Sequence, residues 1–471
     1  MLRISVDNLV TVTGGELLCG SVESHAVGLT IDSRQSTAGC VFVALPGAQV
    51  DGHDFAREAL SGGARVLVVT RGREELLPVL TSAMGRGASV VRVADALGAV
   101  SDLAAWHRSR MLCAVVGITG STGKTTTKDM LTAVLRTEMR VVSTQGNRNN
   151  DLGVPLTLLE AGSDTDVLVV EMGMRGPGEI ARLSRLAKPT MGLVTNVGTS
   201  HIERLGSVDA IAQAKGELVE AILSDGAVFL NGDDVNTDRL AAMAVAPVTR
   251  YGLSDLCEVR AERVAIDENS LASFDLVTPQ GEVPVTLSVP GRHNIYNALA
   301  AASVALRLAV SLEHVAEGLA RAEVTAMRME MFTTASSVTV INDAYNANPV
   351  SMRAAIETLA ALRVDGRRIA VLGDMGELGQ LADLAHFEIG ELVARCGIDV
   401  LVTVGRRSRR IAEGARAEGM AATDVRPCAQ VGEAHGVLDD LVESGDTVLV
   451  KASRFMGLEA VVDGLVSPHD R

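Results

Sequence analysis

This chain lacks long apolar runs and closely spaced cysteines, and it has fewer basic than acidic residues. No uncharged run reaches the ~18 residues that a membrane helix needs. The N-terminal segment Met1–Asp7 has no apolar core of the kind found in a secretory signal. The sequence therefore predicts a chain that is neither inserted in a membrane nor secreted.

The six cysteines lie far apart in the sequence, and no C-x-x-C pair occurs. This spacing disfavours a disulfide framework or a zinc site and favours reduced thiols in the cytoplasm. The formal net charge of −15 disfavours nucleic acid as a partner. An anionic substrate would then be held by local basic groups and metal ions, because the overall field of the protein repels it.

A length of 471 residues is too great for one ordinary core and predicts about three domains. We place them at 1–95, 96–322 and 323–471. Apolar runs alternate with helical patterns in the last two, which is typical of parallel, doubly wound α/β sheets. The predicted fold class is α/β, with a central doubly wound P-loop ATPase domain and a C-terminal Rossmann-like domain. The segment 259–289 predicts an antiparallel hairpin at a sheet edge.

The most informative segment runs from Gly117 to Thr127, with the sequence GITGSTGKTTT. It follows an apolar run and precedes a helical pattern, which is the context of a phosphate-binding loop. Glycines let backbone N–H groups approach a phosphate, Lys124 would neutralise its charge, and the Thr125 hydroxyl could bind magnesium. The flanking elements favour this interpretation over a simple turn. The chain is predicted to bind a nucleoside triphosphate.

Two further side chains follow strands of the same predicted sheet. Glu171 closes the run Val167–Val170, and His201 follows the run 192–197 after a short loop. Ligands of such sheets bind beyond the carboxyl ends of the strands, so both residues are expected at the phosphate crevice. A carboxylate there is a natural magnesium ligand. A lone histidine in such a loop is more often structural.

Other polar positions carry less specific signals. Lys215 lies on a predicted helix, where a lysine is ordinarily a solvated surface charge. The loop 146–150 could bind phosphate or sugar hydroxyls, or could be a turn closed by its own asparagines. The segment 343–349 follows a strand and could simply start a helix at its proline. Lys451 and Arg454 follow another strand and could reach an anion across a cleft.

Taken in order, these pieces resemble the ATP-dependent Mur ligases of peptidoglycan synthesis. Within that family the pattern is most similar to the member that joins D-alanyl-D-alanine to UDP-N-acetylmuramoyl-tripeptide. The segments that carry the resemblance are the phosphate loop, Asp32–Arg34, Asp51–Phe55, Gly146–Pro155, Gly291–Asn294, Asn342–Pro349 and Gly373–Gly379.

The resemblance implies an ATP site, a metal site and a reacting centre. For ATP it implies the loop residues Gly120, Ser121, Thr122, Gly123, Lys124, Thr125 and Thr126, together with His293, Asn294, Asn297, Arg328 and Asp343. For Mg²⁺ it implies Thr125, Glu171, His201 and Lys215, with Lys215 carbamylated by CO₂. Lys124, Lys215, Asn346 and Asn348 would take part in the reaction, and Lys451 and Arg454 would contact an anion from the C-terminal domain.

The same resemblance implies the substrates and the course of the reaction. The UDP-sugar end would be bound by Ser33, Arg34, Asp51, Gly52, His53, Asn147 and Asn150. ATP would activate a carboxylate of UDP-N-acetylmuramoyl-tripeptide as an acyl phosphate, which the amine of D-alanyl-D-alanine would attack. A C-terminal domain that closes over the central one would shield this intermediate from water. The protein is expected to act as a monomer in the cytoplasm.

One position departs from the family pattern. Ala452 stands where the family usually has glycine, and it would be strained by roughly 1 kcal/mol if the backbone there had a positive φ.

The nearest alternative functions are those of folylpolyglutamate synthase and of the sister ligase that adds the third peptide residue, although the latter usually has histidine in the region of 346–348. A nucleotide-gated binding module without ligase activity is the alternative from another class.

Overall fold

The computed structural model describes residues 1–47 and 50–466, and they form an α/β protein. These residues divide into two compact units. The first comprises Met1–Ile118, Met139–Met174 and Glu179–Met191, and the second comprises Thr119–Glu138, Arg175–Gly178 and the described residues from Gly192 onward. Within the described ranges, no helix is both long and apolar enough to cross a membrane.

The first 110 residues fold into two small sheets with helices against them. The strands are β1 (Arg3–Ser5), β2 (Glu16–Cys19), β3 (His25–Val27), β4 (Leu29–Thr30), β5 (Val41–Val43), β6 (Val66–Val69) and β7 (Ser89–Arg92). The helices are α1 (Val6–Thr13), α2 (Ala56–Ser61), α3 (Leu77–Gly85) and α4 (Ala96–Arg108). The five-stranded sheet has the order β2-β7-β6-β5-β4, and β1 pairs with β3. All four residues of β6 are buried, as expected of a short apolar run covered on both faces.

Helix α4 precedes the strand that leads into the phosphate loop. The Asp95 side chain accepts a hydrogen bond from the backbone N–H of Leu97, which caps the start of α4. Val100, Leu103 and Ala104 are buried on one face of the helix. This apolar face fixes the helix in the first compact unit, and α4 leads directly to the strand that precedes the loop.

The middle of the chain alternates strands and helices. The strands are β8 (Ala114–Thr119), β9 (Val141–Ser143), β10 (Val167–Glu171), β11 (Met191–Val194), β12 (Ala227–Asn231), β13 (Val248–Gly252), β14 (Val259–Ile266), β15 (Ala272–Thr278) and β16 (Gly281–Thr286). The helices are α5 (Lys124–Leu135), α6 (Gly153–Glu160), α7 (Glu179–Ala187), α8 (Ile202–Leu205), α9 (Val208–Glu220), α10 (Thr237–Ala241), α11 (Asn294–Arg307) and α12 (Leu312–Ala320).

Pairing of these strands agrees with the predicted parallel arrangement. In the first unit, β10 pairs in parallel with β8 and with β9, and Glu171 lies opposite Ile118. In the second unit, β12, β13 and β14 pair in parallel. The predicted edge hairpin is a three-stranded antiparallel meander, because β15 pairs with both β14 and β16. The strand expected to reach residue 197 ends at Val194.

The last part of the second unit contains a six-stranded sheet. Its strands are β17 (Glu330–Thr333), β18 (Thr339–Asn342), β19 (Arg368–Gly373), β20 (Val400–Val404), β21 (Val425–Cys428) and β22 (Thr447–Lys451), in the order β17-β18-β22-β19-β20-β21. Its helices are α13 (Pro349–Ala361), α14 (Ala382–Arg395), α15 (Arg409–Ala417), α16 (Val431–Leu441) and α17 (Glu459–Leu465). Only β17, at the edge, runs antiparallel to its neighbour.

Both faces of this sheet are covered by apolar cores. Successive residues of a strand point to opposite faces, and on β19 Ala370 belongs to one core while Ile369 and Val371 belong to the other. The same alternation occurs on β18, with Ile341 on one side and Val340 on the other. This double cover is the Rossmann-like architecture that the alternating pattern predicts.

Candidate active site

The phosphate loop connects β8 to α5 through two glycines with unusual backbone angles. Gly120 has φ 151° and Gly123, the residue that precedes α5, has φ 79°. A Cβ on Gly120 would lie 1.8 Å from Oγ1 of Thr195, and one on Gly123 would lie 2.4 Å from Oδ1 of Asn297. Only glycine therefore fits at these two positions. The positive end of the α5 dipole lies directly after the loop and favours an anion there.

The loop is held in shape by the residues that follow β11. The Asn196 side chain accepts a hydrogen bond from the N–H of Thr122 at 3.0 Å and donates to the Thr122 hydroxyl at 2.9 Å. Its backbone carbonyl accepts from the N–H of Ser121 at 3.0 Å. The hydroxyl of Thr195 donates to the carbonyl of Thr122 at 2.6 Å. The loop conformation is thus fixed by contacts with another strand end.

Two lysines, Lys124 and Lys215, occupy this region in different electrostatic states. The Lys124 ammonium donates a hydrogen bond to the Gly120 carbonyl at 2.7 Å, which keeps it beside the loop. Thr125, the next residue of α5, is 1 % exposed. Lys215 on α9 is also 1 % exposed, so the expectation of a solvated surface lysine is wrong. Burial lowers the pKa of Lys215 well below its usual value, and the charge of Lys124 lowers it further.

His201 lies in the loop before α8 and pairs with a residue of the glycine-rich segment 373–379. Its Nδ1 is 2.5 Å from a carboxylate oxygen of Glu377. The hydrogen bond from His201 holds the pKa of Glu377 below its usual range, against the effect of burial. The backbone carbonyl of Glu377 also accepts from the N–H of Glu203 at 3.2 Å. Both His201 and Glu377 have positive φ, 66° and 60°.

The segment 346–348 is connected to the phosphate loop through one serine. The Asn348 side chain caps α13 by accepting from the N–H of Ser351 at 2.9 Å, and its amide donates to the Ser200 hydroxyl at 2.9 Å. That hydroxyl donates to the carbonyl of Ser121 at 3.3 Å. The Asn346 side chain accepts from the N–H of Ala347. Asn348 therefore starts a helix, as the proline after it suggests, and also reaches the loop through Ser200.

Lys451 and Asp343 form a buried ion pair at the ends of β22 and β18. Their side-chain atoms are 2.5 Å apart, and Lys451 also donates to the carbonyl of Asn346 at 3.0 Å. Nearby, the guanidinium of Arg328 lies 4.3 Å from the ring centre of Tyr345 and that of Arg454 lies 5.9 Å from it. These contacts give the C-terminal part a cluster of cations around one carboxylate and one aromatic ring.

The three residues expected near adenine lie at the start of α11. Asn294 and Asn297 are bonded to each other at 2.8 Å, and Asn297 accepts from the Thr127 hydroxyl of α5 at 3.1 Å. These amides thereby fix α11 against the helix that follows the loop. Desolvation of the His293 ring by the surrounding protein is the main cause that lowers its pKa to about 4. The charge of Asp343 raises this pKa, and the charge of Lys451 lowers it. His293 is therefore neutral at pH 7.

Glu171 lies in the first compact unit, where it ends β10 and is 1 % exposed. Its carboxylate accepts from the Asn149 side chain at 2.7 Å, so the loop 146–150 orients it. In the same loop the carbonyl of Asn147 accepts from the N–H of Asn149, and the side chain of Asn150 accepts from the N–H groups of Leu152 and Gly153. The asparagines thus close their own turn, one of the two interpretations that the sequence left open.

The other first-unit residues form two polar groups. The Ser33 hydroxyl donates to Glu58 at 2.9 Å, and Arg34 makes a two-point ion pair with Asp32. Asp51 accepts from both the backbone and the ring of His53 and pairs with Arg71 at 2.6 Å. Partial burial raises the pKa of Asp51, but these hydrogen bonds outweigh it and lower the pKa to about 2.

His53 is buried, and its Nε2 accepts from the N–H of Thr70 at 2.9 Å. Gly52 packs so closely that an added Cβ would lie 2.7 Å from the Leu45 nitrogen. The turn that starts at Asp51 is therefore rigid, with the Asp51 carboxylate ionised.

Three family models match consecutive parts of the chain. The model of the Mur ligase family catalytic domain matches residues 25–104, that of the Mur ligase middle domain matches 118–305, and that of the Mur ligase glutamate ligase domain matches 327–454. Over 99 % of its length the chain is 38 % identical to UDP-N-acetylmuramoyl-tripeptide–D-alanyl-D-alanine ligase of Mycobacterium bovis, of which the match covers 98 %.

The chain belongs to the Mur ligase family. Solved Mur ligase structures agree with its fold over nearly the whole length. MurF from Acinetobacter baumannii is 31 % identical, with a TM-score of 0.85 and 99 % of both chains covered. MurF from Thermotoga maritima in complex with ADP is 26 % identical, with a TM-score of 0.76 and coverage of 93 % of this chain and 97 % of that one. The three-domain α/β fold class is therefore confirmed.

The alanine that departs from the Mur ligase pattern causes no backbone strain. Ala452 is not among the described residues with positive φ. It is fully buried, and its methyl group faces Gly373, where an added Cβ would lie 2.6 Å from that of Ala452. Steric fit rather than backbone conformation decides this position, and alanine fits because residue 373 is glycine.

Sequence reasoning missed several residues that shape the site of this Mur ligase. The sequence predicts a strand over 192–197, which includes Thr195 and Asn196, so the strand-end rule does not select them. Because β11 ends at Val194, both lie in the loop that follows it. Ser200 directly precedes His201 in the same loop and Glu377 follows β19, but nothing near them in the sequence indicates their partners. Their roles depend on Asn348 and His201, partners that are distant in the chain and meet them only in the tertiary fold.

Replacing Gly120 with alanine should abolish nucleotide binding without unfolding the protein. The new Cβ would displace Thr195 and the loop with it, and we expect ATP affinity to fall at least ~100-fold, or about 2.7 kcal/mol. Isothermal titration calorimetry measures the affinity. Gly14→Ala is the control, because Gly14 also has positive φ (61°) but has nothing within 4 Å of an added Cβ. ATP affinity retained in Gly120→Ala would contradict the loop assignment.

Replacing Asn196 with aspartate should weaken ATP binding more than replacing it with alanine. Aspartate can still accept from the N–H of Thr122, but it loses the donated bonds and adds a negative charge beside the phosphates. We expect KM for ATP to rise roughly 10-fold in Asn196→Ala, about 1.4 kcal/mol, and further in Asn196→Asp, with a smaller effect on kcat. An unchanged KM in both variants would show that Asn196 does not position the loop.

Proposed function

We propose that this chain joins D-alanyl-D-alanine to UDP-N-acetylmuramoyl-tripeptide and converts ATP to ADP and phosphate as it does so. One structural observation carries the reaction class. The phosphate loop and the segment 346–348 share a hydrogen-bond chain from Ser121 through Ser200 to Asn348. A nucleotide and a second reactant bound on these two segments would therefore meet. The substrates follow from the 38 % identity to the Mycobacterium bovis ligase over the full chain.

The reaction consists of two displacements. A terminal carboxylate oxygen of the tripeptide attacks the γ-phosphorus of ATP, the bond to the β-phosphate oxygen breaks, and ADP leaves. The free amine of D-alanyl-D-alanine then attacks the carbon of the acyl phosphate, loses a proton, and phosphate departs with the oxygen that came from the carboxylate. Activation is needed because a carboxylate anion is a poor acceptor for an amine in water.

In the first step an anion approaches a polyanion. Lys124 and the backbone of the loop would reduce the repulsion between them. The ammonium lies beside Gly120 and would contact the β- and γ-phosphates, where its charge offsets the charge that accumulates as the bond forms. Loop N–H groups other than those of Ser121 and Thr122, which donate to Asn196, would bind the same oxygens. Asn346 and Asn348 would face the reacting carboxyl group from the C-terminal side.

The remaining contacts to ATP are proposed from the cluster at the ends of β18 and β22. His293 is neutral and would lie near adenine as an uncharged ring, while Asn294 and Asn297 would support that edge of the site. Arg328 and Asp343 would contact ribose and phosphates. Lys451 holds Asp343 in place, and Arg454, whose guanidinium lies 5.9 Å from the ring centre of Tyr345, would contact an anion.

The residues present fit magnesium bound together with a nucleotide. The described residues contain no group of three or more histidine, cysteine, aspartate or glutamate side chains suited to hold a metal alone. Magnesium on ATP needs few protein ligands, because phosphate oxygens and water complete its shell. We propose Thr125, Glu171 and His201 as its ligands, where it would neutralise phosphate charge.

Lys215 fits a carbamate better than a free ammonium. It is buried, and the charged group that acts on it is another cation, Lys124. A neutral amine reacts with CO₂ to form N-carboxylysine and release a proton, which replaces a destabilised cation with an anion able to pair with Lys124 or serve a second magnesium ion. We propose this modification as the form of Lys215 in the working enzyme.

The UDP-sugar end would be bound by the first compact unit. Ser33, Arg34 and the rigid turn Asp51–His53 would contact it, with Asn147 and Asn150 of the loop that orients Glu171. The domain division at 95 and 322 is part of the same proposal, and the N-terminal domain holds this substrate. Because the reaction consumes ATP and a nucleotide-linked sugar, the enzyme would act in the cytoplasm.

A substrate panel tests the proposed function. The purified chain is incubated with ATP, Mg²⁺ and UDP-N-acetylmuramoyl-tripeptide. ADP release is followed with D-alanyl-D-alanine or with single amino acids, including glutamate, as the acceptor. We expect ADP release and a pentapeptide product only with the dipeptide. Release with a single amino acid would indicate a sister ligase, and release without any acceptor would indicate a nucleotide-binding module rather than a ligase.

A further inference from the structure

The first compact unit contains an open cavity of about 360 Å³ that the proposed reaction does not use. It lies between the paired strands β1 and β3 and the C-terminal end of α4. Its volume falls within the range of ordinary small-molecule pockets. Residues from three separate parts of the chain line it, so the cavity depends on the folded unit and is not a feature of one loop.

The polar side of this cavity is basic. Arg3, His25 and Arg110 line it, and none of its lining residues is acidic. Within residues 1–47 and 50–466, neither arginine has a carboxylate in ion-pair contact, whereas Arg34, Arg71 and other arginines of the same unit are paired with acids. Unneutralised cations are notable in a chain of net charge −15, and they favour an anionic ligand.

The other side of the cavity is apolar and carries the only tryptophan of the chain. Ile4 and Ala26 form its buried floor, at 3 % and 1 % exposure, and Val27 is 44 % exposed at its rim. The guanidinium of Arg110 lies over the ring of Trp106, 4.8 Å from its centre. Because stacking on an aromatic ring holds a guanidinium in place, Arg110 is oriented where the charged and apolar sides meet.

The cavity is separate from the Glu171 end of the same unit. Arg110 precedes β8, which begins at Ala114, and Glu171 lies opposite Ile118 near the other end of that strand. With a rise of roughly 3.3 Å per residue, the two ends of β8 are about 16 Å apart. A ligand in the cavity would therefore not compete with one bound at the carboxyl ends of the strands.

We propose that this cavity is a second ligand site, which binds a small organic anion with an aromatic or apolar body. The anionic group pairs with Arg3 and Arg110, and the body packs on Trp106 and the floor formed by Ile4 and Ala26. An inorganic anion would contact only the arginines, and a neutral aromatic molecule would contact only the apolar side. A ligand that carries both an anionic group and an apolar body should therefore bind more tightly than either.

Trp106 provides a direct assay, because fluorescence excited at the tryptophan absorption edge comes from this residue alone. Phenyl phosphate is titrated into the full-length protein, with inorganic phosphate and benzyl alcohol as half-probes that carry only the charge or only the ring. We expect a saturable change in Trp106 fluorescence with phenyl phosphate and at least 10-fold weaker effects with either half-probe. Calorimetry checks the same affinities without relying on the fluorophore.

Variants assign the charge contacts. Arg3→Gln combined with Arg110→Gln should weaken phenyl phosphate binding at least 10-fold, and Arg3→Lys combined with Arg110→Lys should restore most of it. Arg86→Gln removes an exposed arginine outside the cavity and should leave the affinity unchanged. Circular dichroism verifies that each variant is folded. The proposal is overturned if binding is not saturable, if the double glutamine variant binds equally well, or if inorganic phosphate binds as tightly as phenyl phosphate.

Discussion

Lys124→Ala is expected to lower the rate of ADP release at least ~10³-fold while leaving the protein folded, because the charge that offsets the transferred phosphoryl group is lost. The same substitution should not lower the stability of the protein. Lys124 is the first residue of α5, where a cation opposes the helix dipole. Alanine should therefore leave the melting temperature unchanged or raise it slightly.

Measuring both properties separates a catalytic role from a structural one. Steady-state ADP release gives kcat and KM, and differential scanning fluorimetry gives the melting temperature. Lys188→Asn is a matched control, because it removes an exposed lysine, and asparagine tolerates the positive φ of that position (46°). An Lys124→Ala variant with more than a tenth of the original rate would remove the basis of the nucleotide assignment.

Lys215→Ala is expected to lower turnover at least ~100-fold, with partial recovery when acetate or another short carboxylate is added. Truncation removes the carbamate and leaves space in a buried site, which a carboxylate can enter. Lys215→Met removes the amine but fills most of the space, so it should be inactive and not rescued. Labelling with ¹³C-bicarbonate should give a carbamate signal in the original protein and none in Lys215→Met.

Two results would contradict the carbamate. Full activity of Lys215→Ala without added carboxylate would show that the residue has no part in turnover. Equal recovery of the alanine and methionine variants would show that acetate acts elsewhere. Each outcome concerns Lys215 alone, so the assignment of the phosphate loop would be unaffected.

The burial of Lys215 is encoded in the helical periodicity around it, which the expectation of a surface lysine did not use. Ile211, Lys215 and Val219 are spaced by four residues and so lie on one face of α9, and all three are buried. A lysine in the middle of an apolar stripe differs from one on a polar face. The spacing of its apolar neighbours is therefore enough to predict that this lysine is buried.

Local patterns were sufficient for the loop and for the strand-end residues. The glycines, the apolar run before them and the helix after them are all encoded within a short stretch, so the loop at 120–126 could be predicted. Glu171 could be predicted because it directly follows four apolar residues of a buried strand. In both cases the signal lies within a short stretch of sequence, although the contacts of Thr195 and Asn196 that hold the loop come from distant residues.

Contacts between distant segments could not be predicted in this way. The hydrogen bond between Thr127 and Asn297 joins residues 170 apart in the chain. The pairing of His201 with Glu377 likewise depends on how two loops meet in the fold, which neither loop encodes alone. The fit of Ala452 against Gly373 is a third case, since a backbone argument anticipated strain where side-chain space decides the outcome.

Transfer of ¹⁸O from the substrate to phosphate tests the central claim most directly. UDP-N-acetylmuramoyl-tripeptide labelled with ¹⁸O in its terminal carboxylate is converted in the presence of ATP, Mg²⁺ and D-alanyl-D-alanine, and the products are analysed by mass spectrometry. The acyl-phosphate route predicts one ¹⁸O atom in each phosphate released and one in the new amide carbonyl of the pentapeptide. Phosphate without ¹⁸O would contradict the mechanism, and absence of pentapeptide would contradict the proposed function.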